Sequence, residues 1–269
     1  MSTATTISTP ADPHVRLTAL PQDQRADIIN QERYQSAVGS LMYAMISTRP
    51  DIGFAVSAVS QYCTNPGPMH WTAIRRTFRY LGGTKALGHE YRGGYCGGYT
   101  DADWGSREDR RLIGGYVFMI NRAAISWASQ KQGSVALSST EAEYMSLTQG
   151  IKEALWLGEF LSELGASRHK SEIRQVLCDN QGAIPLTRNP QYHARTKHID
   201  IQYYFVRQHI ESGLIHLTYC PTHEMVADIF TKPLPRPQFE KHLLALGLTQ
   251  SANHTNHKFR KLNRDTREE

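Results

Sequence analysis
Residues Tyr95–Trp104, YCGGYTDADW, form a short run of aromatic and small residues that carries two aspartates at its end. Leu112–Ile120, LIGGYVFMI, and Ala123–Ser129, AAISWAS, have a similar texture, and turn-like or charged residues separate the three. Short runs rich in aromatic and β-branched residues, punctuated in this way, predict three consecutive antiparallel strands. The pattern changes toward the C-terminus. SSTEAEY, Ser138–Tyr144, opens a helix expected from about Ser139 to Leu164, and IRQVLCD (173–179) then reads as a buried strand. A helix near Asn180–Thr187, another from about Ile199 to Glu211, and the strand LIHLTYC (214–220) come next. A helix starting near Thr222 and an amphipathic one from about Arg236 to Leu246 complete the pattern. A three-strand meander followed by βα alternation predicts an α/β fold with an antiparallel edge.

Toward the N-terminus, YQSAVGSLMYAMIST, RPDIGFAVSAVSQYC and MHWTAIRRTFRYLGGT predict three short helices between Tyr34 and Leu81, with Pro50 suited to a first turn. The last carries Arg75, Arg76 and Arg79, by default a solvated face. Residues 1–30 are rich in Ser, Thr, Ala and Pro without periodicity, which predicts a flexible segment. The expected divisions are 1–30, a helical segment at 31–92, the α/β domain at 93–232, a C-terminal helix at 233–249 and a disordered basic tail at 250–269.

With 269 residues, 40% of them hydrophobic, the chain has ample core-forming material. Its net charge of +5 is compatible with a polyanionic partner without establishing one. The four cysteines are far apart and form no CxxC pair, which argues against a disulfide framework or an all-cysteine zinc site. No basic leader precedes an apolar core, and no apolar run approaches ~18 residues, so secretion and membrane partners are not expected. The expected setting is intracellular.

Acidic residues at the ends of elements point to the chemistry. Asp101 closes the first strand, Asp179 closes the fourth, and Asp228 lies among apolar residues near a helix start. If the strands ending at Asp101 and Asp179 are neighbours, their carboxyl edges bring two carboxylates together where α/β sheets form sites. Glu141 and Glu143 lie roughly 200° apart on a helical wheel, so only one can face the sheet. Glu143 shares its stripe with Leu147, Ile151 and Ala154, whereas Glu141 shares a wetter one with Met145, Thr148 and Lys152. Ser138 and Glu141 also have capping-box spacing, which gives Glu141 a structural task and aims Glu143 inward. Any one of these acids, taken singly, is a turn or cap residue; their joint placement is what suggests a site. Converging carboxylates repel unless a cation neutralises them, and an oxygen-only set suits Mg²⁺ or Mn²⁺. Two such ions about 4 Å apart can activate water against a phosphodiester.

On GYTDADW, GGYVFMINRAAISWASQKQGSVALSSTEAEYMSL, KEALWL, CDNQGAI, NPQYHARTKHIDIQYYFV and ADIFTKPL, the chain resembles the ribonuclease H domain of copia-type (Pseudoviridae) retrotransposon Pol polyproteins. YQSAVGSLMYAMISTRPDIGFAVSAVSQYCTNP and AIRRTFRYLGGT resemble the thumb or connection region after the reverse transcriptase palm. The resemblance covers roughly residues 33 to 248. It implies a five-stranded mixed sheet with strands 1–3 antiparallel, two divalent ions, and hydrolysis of the RNA strand of an RNA/DNA hybrid. It places the metal-binding acids at Asp101, Glu143, Asp179 and Asp228, and the setting in a cytoplasmic virus-like particle or the nucleus. The alternative is an inactive remnant that binds nucleic acid or pairs with a palm-containing polymerase chain. No YxDD motif is present, so polymerase activity is not expected of this chain, which reads as a fragmentary element product.

Asn180 and Gln181 are positioned to bond an RNA 2′-OH, with helix capping by Asn180 the bland reading. Arg195 and Lys197 are expected to contact the nucleic-acid backbone. His223, only five residues before Asp228, reads as an exposed loop or cap residue rather than a proton shuttle. Trp104, Trp127 and Trp156 fit core positions better than stacking platforms, and zinc binding around His193–His198 lacks ligand pairs at finger spacing.

Overall fold
The computed structural model describes residues 5–21, 30–103, 113–133, 136, 138–166, 173–181 and 197–250, the backbone alone at 197–200. The first three helices are α1 (Gln31–Ser47), α2 (Gly53–Ser60) and α3 (Pro68–Gly83). Strands β1 (Leu87–His89), β2 (Gly97–Asp103), β3 (Ile113–Ile120) and β4 (Ala123–Lys131) precede helix α4 (Ser139–Glu163). Then come β5 (Gln175–Cys178), α5 (Lys197–Glu211), β6 (His216–Tyr219), α6 (Asp228–Thr231), α7 (Arg236–Ala245) and β7 (Leu248–Gln250).

Five strands form one sheet in the order β4-β3-β2-β5-β6. The β4–β3 and β3–β2 pairs are antiparallel, and β2–β5 and β5–β6 are parallel. This is the expected ribonuclease H-like sheet. The β3–β4 hairpin turns on Asn121 and Arg122, both at positive φ (53° and 64°), which matches the twist of the flanking strands. β5 follows the long helix α4 and returns parallel, as a helical crossover requires.

Alternation along β3 divides the molecule into two packed faces. Phe118, with Tyr116 and Ile120, packs with Leu147 and Ile151 of α4 and Val206 of α5. Val117 and Met119 point the other way, into a core shared with Val38 and Leu41 of α1, Val56 of α2 and Ile74 of α3. Residues 31–83 therefore share one hydrophobic core with the sheet. That core also takes in Ile229, Phe230, Phe239 and Leu246 from the C-terminal helices. On the opposite face α4 approaches the sheet closely. Gly150 allows this, because a Cβ there would overlap the Thr100 methyl group.

Three features depart from the sequence reading. Residues 5–21, expected to be flexible, run as a strap against α3: Arg76 pairs with Asp12 at 2.8 Å, Arg79 donates to the Thr5 carbonyl, and Tyr62 donates to the Leu17 carbonyl. Arginines assigned to a solvated face are what hold it. Trp156 is exposed and stacks on Phe160, itself exposed, because this face of α4 meets solvent rather than the sheet. Trp127 does pack, with its indole N–H donating to the Met45 carbonyl. Finally, β1 and β7 pair in a two-stranded antiparallel ladder that joins residues distant in sequence and too short to read as strands alone. The expected helix at Asn180–Thr187, Trp104 and the 251–269 tail lie outside the described residues, apart from Asn180 and Gln181.

Candidate active site
The β2–β5 register pairs Thr100 with Cys178, so the next residue on each strand, Asp101 and Asp179, lie side by side at the carboxyl edge. Asp101 is buried and its backbone carbonyl accepts the Ser146 hydroxyl at 2.6 Å. That hydroxyl also reaches the Gly115 carbonyl, which seats the first turns of α4 on β2 and β3. Ser138 caps α4 by accepting the Glu141 N–H at 3.2 Å, and the helical phase then turns Glu143 toward the strand ends. Glu143 accepts a hydrogen bond from the Ala102 backbone N–H, one residue past Asp101.

Glu141 faces no wet side. It is buried, as are Met145 and Thr148 on its stripe. Ala102, Ala136, Ala142 and Met145 form a small apolar cluster beside this flank, and every residue of α4 from 141 to 148 is buried.

Asp228 begins α6 and is buried beside Asp101, within hydrogen-bonding reach of it. Thr231 donates to Asp101 Oδ2, and Gln238 of α7 donates to Asp228 Oδ2 at 3.3 Å. Lys232 lies between the two acids, with Nζ 2.8 Å from Asp228 Oδ1 and 3.9 Å from Asp101 Oδ2. Thus the structure brings Asp101, Glu143, Asp179 and Asp228 together, and adds Thr231, Lys232, Gln238 and Cys178, which sequence reasoning did not select. Lys232 was within reach of it, being four residues after Asp228 in ADIFTKPL. Gln238 had no local signal.

Electrostatics follow from burial. Glu143 is held well above the usual carboxylate range by desolvation, then by the neighbouring Asp101 and Asp179 charges. Burial likewise raises Asp101, against the pull of Lys232. Asp228 is pushed up to about 7 by burial and by Asp101, with Lys232 partly offsetting both. For Lys232, burial works against the charge, but Asp101 and Asp228 outweigh it and the ammonium is favoured. Like charges at close quarters thus make the proton-free site unfavourable without a cation.

The donor set fits a hard divalent ion. Glu143, Cys178 and Asp179 each offer an atom within 4.8 Å of the others. Glu143 Oε2 is buried and has no hydrogen-bond partner among the described residues. An orphaned buried carboxylate oxygen of this kind is satisfied by a bound ion. Burial raises the Cys178 thiol far up, so it serves as a neutral wall rather than a thiolate.

Of the expected substrate contacts, Asn180 is half-buried and Gln181 exposed, directly after Asp179. Arg195 lies outside the described residues, and Lys197 starts α5 with its side chain outside them. His223 sits in a 3-10 turn (Thr222–Glu224) with its side chain 74% exposed, 3.5 Å from Glu224.

No protein-family model matches the chain. It is 43% identical over 247 residues to the retrovirus-related Pol polyprotein from transposon TNT 1-94 of Nicotiana tabacum, covering 89% of this chain and 18% of that protein. It is 37% identical over 254 residues to the retrovirus-related Pol polyprotein from transposon RE1 of Arabidopsis thaliana, covering 93% of this chain and 17% of that protein. The chain therefore spans less than a fifth of the length of these relatives. Among solved structures, LC11-RNase H1 isolated from compost is similar at a TM-score of 0.38 and 14% identity, over 55% of this chain and 98% of that one. A sequence match over about nine-tenths of the chain identifies it as belonging to the retrovirus-related Pol polyproteins of copia-type transposons, as a segment of them.

Proposed function
We propose that this chain is a metal-dependent endoribonuclease that hydrolyses the RNA strand of RNA/DNA hybrids, as the ribonuclease H part of a retrotransposon reverse transcriptase. The observation that carries this reading is the convergence of four carboxyl groups at one sheet edge, with a buried oxygen of Glu143 left unmatched. Asp101, Glu143, Asp179 and Asp228 would hold two Mg²⁺ or Mn²⁺ ions. Such ions supply an activated water and charge stabilisation at the leaving oxygen.

The chain's own groups do the rest. Strand register sets the spacing of Asp101 and Asp179. The α4 cap sets the rotation of Glu143, and Thr231 and Gln238 orient Asp101 and Asp228. Asn180 and Gln181 are assigned the RNA 2′-OH, which distinguishes RNA from DNA. Arg195 and Lys197 are assigned phosphate contacts, whose contribution falls as salt rises. His223 is assigned no proton transfer.

The test is cleavage of a uniformly labelled RNA/DNA duplex by the purified chain with Mg²⁺ or Mn²⁺, against an EDTA control. Endonucleolytic shortening of the RNA strand alone is the expected result. A hybrid that is bound and left intact would instead support the inactive remnant. Activity appearing only when a palm-containing chain is added would make this a subunit of a larger enzyme.

A further inference from the structure
We propose that Lys232 is a built-in counter-cation of the acidic site, holding Asp101 and Asp228 together in the metal-free chain and swinging out to solvent when divalent ions arrive. This rests on the two-ion reading above and adds a positioning residue to it.

The geometry separates the groups that hold the acids from the one that can leave. Thr231 fixes Asp101 Oδ2, and Gln238 fixes Asp228 Oδ2. Among the described residues only Lys232 approaches Asp228 Oδ1, at 2.8 Å, and it also faces Asp101. Its side chain is 33% exposed, whereas those of Asp228 and Asp101 are 1% and 4% exposed, so the lysine borders solvent and the acids do not. Its backbone is the extended C-cap of α6 (φ −145°, ψ 154°), already outside the helix. Rotation of the side chain is therefore all the motion required, and a flexible four-carbon stem permits it.

An ammonium and a divalent ion cannot share the same carboxylate oxygens, because both positive charges would occupy one small space. Lys232 consequently stabilises the empty site and competes with the ions that fill it. A neutral side chain at this position removes the competition and leaves the two aspartates to repel.

The experiment uses the full chain with Lys232→Met, close in length and uncharged, and Lys232→Arg, which keeps the charge. Calorimetric titration with Mn²⁺ should show about tenfold tighter binding for Lys232→Met, with Lys232→Arg near the unaltered protein. Melting in EDTA should show a lower midpoint for Lys232→Met alone. Unchanged or weaker Mn²⁺ binding by a folded Lys232→Met chain overturns the competition. An unchanged EDTA midpoint overturns the counter-cation role. If the unaltered chain binds no Mn²⁺, the two-ion reading fails, and the EDTA melts still decide the counter-cation. Should Lys232→Met not fold, acylation of Lys232 in the unaltered chain, followed by mass spectrometry, decides the matter. Its rate should rise on adding Mn²⁺, and a rate that stays the same or falls overturns the proposal.

Discussion

The two halves of the acidic site differ in how their charge is met. Asp101 and Asp228 are matched from within the protein by Thr231, Gln238 and Lys232. Glu143 and Asp179 have beside them the neutral Cys178 thiol, and one Glu143 oxygen is left without a partner among the described residues. The two halves also come from different parts of the sequence. The first joins β2 to α6 and α7 near the C-terminus, while the second joins α4 to the end of β5. The lesson is that four carboxyl groups of one type need not be equivalent: one pair is partly met by a lysine ammonium and two neutral donors, whereas the other has a buried Glu143 oxygen beside a neutral thiol.

The largest effect is expected from Glu143→Gln. Hybrid cleavage should fall by more than about a hundredfold, beyond the loss typical of a group that only supports a ligand. The metal-free melting midpoint should rise at the same time, because a buried repelling charge is removed. Asp228→Asn should also abolish cleavage, but its metal-free midpoint should rise less, since Lys232 loses its near partner. Equal midpoint shifts in the two variants would erase the distinction between the halves.

Gly150→Ala tests whether the halves are mechanically coupled. The added methyl overlaps Thr100 and must push α4 off β2, which separates Glu143 from Asp101. Overpacking of this kind costs about 1–3 kcal/mol. Chemical denaturation should show that loss, and Mn²⁺ binding should weaken with it.

The pH dependence has a definite sign. Asp228, at about 7 in the fold, lies above the range of an exposed aspartate, as burial and the Asp101 charge dictate. The folded chain therefore binds more protons than the unfolded one between roughly pH 4 and 7. Metal-free stability should fall as pH rises through that window, and Glu143, raised in the same direction, adds to the fall. Mn²⁺ affinity should rise over the same window, because ions need the deprotonated carboxylates. Melts in EDTA and titrations at pH 5.5, 6.5 and 7.5 check both slopes, and Asp228→Asn should flatten them.

The smallest effects belong to the helix cap. Ser138→Ala removes the acceptor of the Glu141 N–H and should cost about 1 kcal/mol of stability. Glu141→Gln should cost no more than about 1 kcal/mol and leave cleavage intact. Loss of cleavage in a folded Glu141→Gln chain would show that the two glutamates are not divided in task.

Much of this was legible in the sequence. Three aromatic-rich runs marked β2–β4, and helical phase separated Glu143 from Glu141. Phase alone misjudged the surroundings of Glu141, because a helix wheel has no knowledge of the cluster around Ala102 and Ala136 that covers the second flank. Composition misjudged the N-terminal strap for a related reason. Its order comes from arginines 64 to 74 residues away, and periodicity within the strap carries no trace of them.

The features readable from residue order were local: which runs become strands, where α4 starts, and which acids end elements. Those properties depend on neighbours within a few residues, so backbone sterics, capping and hydrophobic period suffice. Folding in three dimensions was needed to set Asp101 beside Asp179, to close Lys232 and Gln238 on Asp228, and to leave one oxygen of Glu143 over. These are contacts between distant segments, set by strand register and by the packing of both faces of the sheet. The energies that matter there, burial of charge and its neutralisation, exist only once the faces have closed.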